Sequence, residues 1–129
     1  MNDPADYLAE IELALVSSPV LAETHVTRSW TNADDGYIRI RATLVNGDFL
    51  EAAEYFVLDG GRIKPVDYRH QWMDGAKSTL RRRWDSTPDH PGLPNFPHHV
   101  HVGAEHTVHP SHPTGILDLL HYLEAELHL

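Results

Sequence analysis

Leu8, Ile11 and Leu15 recur at helical spacing behind Asp3 and Pro4, a capping side chain followed by a proline suited to a first helical turn. Asp6 adds a negative charge at the positive end of the helix dipole. The stripe predicts a helix that stops before Pro19, because the residue preceding a proline avoids the helical region. From Val20 onward β-branched and aromatic residues take over, punctuated by turn signals at Asp34-Asp35-Gly36, Asn46-Gly47, Gly60-Gly61 and Asp74-Gly75. These predict strands over roughly 20–30, 37–45, 49–58, 62–73 and 78–85, antiparallel because the connections are too short for crossovers. Helical spacing returns at Ile116, Leu119, Leu120, Leu123 and Leu127, with Thr114 as the candidate cap.

Between Ser86 and Pro113 the periodicity breaks, and six of the nine prolines fall there. Proline lacks the N–H that regular structure uses, so only a short strand around Val100–Val102 is expected in an otherwise irregular stretch. The expected fold is therefore α+β: an antiparallel meander of about five to six strands, with an N-terminal and a C-terminal helix packed on one face. Neither an internal repeat nor a linker divides it, which predicts one domain over residues 1–129.

A two-residue turn at Asn46-Gly47 pairs Val45 with Asp48 and sets Arg39 opposite Glu54. A second such turn at Gly60-Gly61 pairs Ala52 with Arg69 and Glu51 with His70. One face then gathers Arg39, Arg41, Glu54 and Arg69. The other carries Ile38, Ile40, Leu44, Phe49, Tyr55, Tyr68 and Trp72, interrupted by Glu51 and His70, and is the expected core side. A one-residue slip or bulge would exchange the faces of the later strand.

The formal charge of −9 disfavours broad attraction to nucleic acid, so any such binding has to be local. Most basic side chains fall between Arg62 and Arg83, and Arg81-Arg82-Arg83-Trp84 joins guanidinium groups to an indole. That combination serves phosphate contact and base stacking in single-stranded RNA recognition, and equally serves to discourage edge-to-edge strand pairing. The absence of cysteine removes thiolate ligands and disulfides and fits a reducing cytosol. An acidic N-terminus and the lack of a long apolar run give no signal for membrane entry, so a cytoplasmic location is expected.

Seven of the eleven histidines fall between His90 and His112. On an extended backbone His99 and His101 share one face, a spacing a metal can bridge. His70, His90, Glu51 and Asp85 are the candidates for further ligands. Hydrogen-bonded bracing of the loop by His98 and His99 is the plain alternative, and proton transfer is a third use.

Together, Gly36-Tyr37-Ile38-Arg39-Ile40-Arg41, Asn46-Gly47-Asp48-Phe49-Leu50-Glu51, Glu54-Tyr55-Phe56, Tyr68-Arg69-His70-Gln71-Trp72, Arg83-Trp84-Asp85 and Phe96-Pro97-His98-His99-Val100-His101 resemble the TumE-type toxin family of prokaryotic toxin–antitoxin pairs. The resemblance spans nearly the whole chain. It carries over Arg39, Arg41, Glu51, Glu54, Tyr55, Tyr68, Arg69, His70, Arg83, Trp84, Asp85, His90, His98, His99 and His101 as motif positions. Departures are Asp89-His90, where the family pattern has a His-His pair, and Ser86, where asparagine is more usual. The resemblance implies a cognate antitoxin encoded alongside, commonly a small DNA-binding protein.

The functional expectation is a toxin that cleaves RNA without a metal cofactor. His70 or His99 serves as base or acid, Glu51 orients His70, and Arg39, Arg41 and Arg83 hold phosphate. Trp84 stacks a base, with Arg69, Tyr68, Glu54, His98 and His101 completing the substrate surface. The alternatives are a hydrolase or nucleotide-modifying enzyme using zinc or another divalent metal on His99 and His101, and a non-catalytic partner-binding protein. Homo-oligomerisation stays open.

Overall fold

The computed structural model describes residues 3–127. Its elements run α1 (Pro4–Ser17), β1 (Leu21–Thr31), β2 (Asp35–Leu44), β3 (Phe49–Asp59), β4 (Arg62–Met73), β5 (Leu80–Asp85), β6 (His99–Val102), β7 (Val108–Pro110) and α2 (Ile116–Glu126). The strands form one antiparallel sheet in sequence order, the expected meander with its short strand near Val100–Val102 present as β6 and a seventh strand, β7, added. β7 lies within the proline-rich stretch expected to be irregular. As the outermost strand it pairs on one side only, and Pro110 closes it, so the missing N–H is tolerated.

Both helices lie on one face of the sheet. Ile11 and Leu15 from α1 and Ile116, Leu119, Leu120 and Leu123 from α2 close over Ile38, Ile40, Leu44, Leu50, Phe56, Trp72 and Trp84. Asp3 caps α1 as predicted, accepting from the Asp6 N–H at 2.8 Å. The α2 cap is Gly115 instead of Thr114, whose hydroxyl donates to the His112 carbonyl.

The predicted strand register is one residue off, and this changes what the site contains. Gly47, at φ +90°, lets the β2–β3 connection take a third residue, so Leu44 N donates to Asp48 O and Arg41 stands opposite Glu51. Arg39 accordingly pairs with Ala53, not Glu54. Gly60-Gly61 does form the expected two-residue turn, but a bulge beside Tyr55 and Phe56 shifts β4 by one, pairing Ala52 with His70 and Ala53 with Arg69. Glu51, Phe49 and Tyr55 therefore leave the core side, and Glu54 enters it.

Buried Glu54 has a structural use there. Its carboxylate accepts from the Tyr7 hydroxyl of α1 (2.6 Å) and from the Ile116 N–H at the start of α2 (2.6 Å), tying both helices to β3. A helix N-terminus has unpaired N–H groups and a positive dipole end, so a carboxylate is well placed there. A Cβ at Gly115 would stand 3.0 Å from Glu54 Oε1, which explains the residue that fills the cap position.

His70 is fully buried beside this contact, and its Nε2 lies 2.8 Å from the Thr114 carbonyl. A carbonyl only accepts, so Nε2 carries the proton, and buried Nδ1 has no partner among the described residues. Burial pushes this imidazole down to about 4. An imidazole held below its unfolded value of ~6.5 contributes stability that is complete above ~6.5 and lost as pH falls toward about 4. Between those limits the stability advantage of the wild type over His70→Gln should shrink by about 3 kcal/mol, measured by denaturant unfolding at a series of pH values. Comparison with the variant cancels the opposite trend from Glu54, whose carboxyl is raised by burial and loses stability as pH rises.

Candidate functional site

The helix-free face of the sheet carries the chemistry. Across β2, β3, β4, β5 and β6 one row reads Arg39, Ala53, Arg69, Asp85 and His99, and the next reads Arg41, Glu51, Gln71, Arg83 and His101. Side chains at paired positions emerge on the same face with strands roughly 4.8 Å apart, so the two rows form a continuous polar strip. Arg39 donates to Glu51 at 2.8 Å, and Arg41 Nε lies 3.8 Å from the same carboxylate. A depression of about 340 Å³ opens between Arg39, Glu51, Ala53, Arg69 and Gln71.

Next to it lies a second depression lined by Thr27, Arg28, Tyr37, Arg39, Arg41 and Glu51. Trp30 stacks on Tyr37 (centroids 6.0 Å apart) and approaches Tyr55 at 6.2 Å, while the Arg28 guanidinium lies over the Tyr37 ring. These half-buried aromatics and Arg28 are absent from the site expected on sequence. Their signal there is the alternation of Tyr37, Arg39 and Arg41, which becomes legible once β1 is known to bring Arg28 and Trp30 alongside.

At the other end of the strip Asp85, His90, His99 and His101 close on one another. The ring centroids of His99 and His101 are 4.9 Å apart, and that of His90 lies 4.9 and 5.9 Å from them. His90 comes from the loop after β5 and is half-buried, while His99 is 1% exposed and Asp85 and His101 are buried. His99 Nδ1 donates to the Pro97 carbonyl at 2.9 Å and His101 Nδ1 to the Glu105 carbonyl at 2.7 Å. Both imidazoles thus turn Nε2 inward, at 2.8 and 3.7 Å from the Asp85 carboxylate. One potential ligand atom from each of His90, His99 and His101 lies within 4.8 Å of the others.

Arg83 is buried beside them and its guanidinium is committed. Nε donates to Asp85 Oδ2 at 3.2 Å, and the two terminal nitrogens engage Glu105, one of them at 2.6 Å. The Glu105 carboxyl is held below its ordinary range mainly by these bonds. Arg83 therefore positions Asp85 and the β6–β7 loop, and it is not the free phosphate ligand expected from the sequence.

Five other expected site residues lie on the opposite, helix-covered side. Glu54 and His70 hold the helices, as described above, so Glu51 cannot orient His70 through the sheet. Trp84 packs edge-on against Tyr122 of α2 in the core, with no face left for a base. Tyr68 is buried between His70 and His98, and its hydroxyl lies 2.7 Å from His98 Nδ1. His98 belongs with that stack, on the far side of the backbone from His99. Burial also pushes the Tyr68 hydroxyl up to about 12.

A family model described as Toxin TumE matches residues 10–128. The chain belongs to the TumE toxin family. Membership makes it the toxin half of a toxin–antitoxin pair, with a cognate antitoxin as its partner. Curated proteins and solved structures gave no match. In this TumE-family toxin no helix among the described residues is long and apolar enough to cross a membrane.

Proposed function

We propose that this TumE-family toxin acts by cleaving RNA on the helix-free face of its sheet. The observation that carries the proposal is one strip joining three kinds of group. Exposed arginines at Arg28, Arg39, Arg41 and Arg69 offer phosphate contacts, and Trp30 and Tyr37 offer a stacking surface. The imidazole–carboxylate cluster lies one strand beyond Arg69, whose cross-strand partner is Asp85. Guanidinium groups match phosphate oxygens and stacked aromatics accept any base, the pairing that single-stranded RNA sites use.

In the reaction the 2′-oxygen attacks the adjacent phosphorus while the 2′-OH proton passes to the cluster. The bond to the 5′-oxygen breaks, and that oxygen takes up a proton as it leaves. Arginines offset the charge that builds on the phosphoryl oxygens. The fold, not a net positive charge, supplies the binding field, since the chain as a whole carries −9.

Purified toxin should cut unstructured RNA, and a single 2′-deoxy substitution at the cut position should block cleavage there. Arg69→Ala and Arg39→Ala should each lower kcat/KM by roughly 10- to 100-fold and flatten its dependence on salt, because each removes a phosphate contact. Cleavage that proceeds equally at a 2′-deoxy nucleotide would refute the attack proposed here. No RNA cleavage at all, with growth arrest retained, would refute the nuclease reading.

A further inference from the structure

We propose that Asp85, His90, His99 and His101 form a binding site for one divalent first-row transition-metal ion of the zinc class. The inference rests on the nuclease reading only for what the ion would do, not for whether it binds.

Three features of the cluster point to a cation. The first is tautomer control. The carbonyls of Pro97 and Glu105 can only accept, so both Nδ1 atoms carry protons and both Nε2 atoms present lone pairs inward. Fixing the distal nitrogen through a hydrogen bond to a backbone oxygen is how proteins orient metal-bound histidines.

The second is an orphan. His99 Nε2 is buried and has no hydrogen-bond partner among the described residues, although Asp85 Oδ1 is only 2.8 Å away. The carboxylate lies at ion-pair distance from this nitrogen without forming a hydrogen bond to it. An unpaired polar atom in such a place is costly, and a shared cation would satisfy both donors at once.

The third is spacing. Donors about 2.0–2.1 Å from a tetrahedral zinc stand roughly 3.4 Å apart. The three imidazole donors already lie within 4.8 Å of one another, and His90, on a loop, can close the remaining gap without moving a strand. Three imidazoles and a carboxylate, with no thiolate, suit zinc, iron, nickel or copper over magnesium or calcium. His90 is the half-buried member, so the coordination sphere would open on its side. A cation there would polarise a phosphoryl oxygen or ease loss of the 2′-OH proton. This favours a metal-assisted reaction over the metal-independent one expected from sequence.

The test is binding of zinc and of cobalt(II) to full-length toxin, read by elemental analysis after dialysis and by the visible absorption of bound cobalt. One ion per chain is expected, with a cobalt spectrum of low coordination number. His99→Gln and His101→Gln should abolish it, His90→Ala should weaken it at least about 10-fold, and His106→Ala should leave it intact. If the strand variants fail to fold, the half-buried His90→Ala carries the test alone. No stoichiometric ion, or equal binding by His90→Ala, would overturn the inference. A bound ion without RNA cleavage would uphold it while removing the nuclease reading, and cleavage by a protein that binds no ion would do the reverse.

Discussion

Alanine in place of Glu54 is expected to lower the unfolding free energy by roughly 3 kcal/mol, a large share of what a protein of this size has to spare. The loss has two sources. Truncation leaves the Tyr7 hydroxyl and the Ile116 N–H without their common acceptor, and it opens a cavity between β3 and both helices. Glu54→Gln keeps the volume and one acceptor oxygen, so less than half of the loss is expected. Thermal and denaturant unfolding of both variants measures the difference. Equal stability of Glu54→Ala and wild type would show that the helices are held by apolar packing alone.

Asparagine at position 85 should instead spare the fold and disable the protein. Asp85 accepts from Arg83 Nε and from the Thr87 N–H and lies against the inward nitrogens of His99 and His101. Asparagine preserves the shape and one acceptor, but it removes the negative charge that the surrounding imidazoles and guanidinium face. Cleavage of unstructured RNA should fall by about 10²–10³-fold, with growth arrest relieved in proportion. The melting temperature should move far less than in Glu54→Ala. An Asp85→Asn protein that cleaves RNA at the wild-type rate would remove the cluster from the chemistry and leave the arginine strip as a binding surface only.

These two carboxylates separate what is legible in the sequence from what is not. Both are marked by family resemblance, yet Glu54 builds the molecule and Asp85 joins the candidate site. Which face each occupies depends on one residue in the β2–β3 turn and one bulge in β4. Asn46-Gly47 is compatible with either turn length, and no local signal marks the bulge, so a reading from sequence exchanges the faces of Glu51 and Glu54. Arg39 and Arg41 of β2, and likewise His99 and His101 of β6, share a face because a spacing of two survives any shift in register, and Arg69 keeps its expected side because the extra turn residue and the bulge cancel.

The sequence by itself determined the order and type of the elements, the meander, and the apolar stripes of the two helices, since these follow from periodicity and turn chemistry between near neighbours. Tertiary structure alone decided which polar residues meet. Pairing of β5 with β6 across the proline-rich loop sets Asp85 beside His99, and the loop itself delivers His90. Burial then divides the histidines into His70, which stabilises by staying neutral, and the group around His99. Contacts between distant residues follow from how strands register and pack, and that balance is struck over the whole sheet instead of within any short stretch of chain.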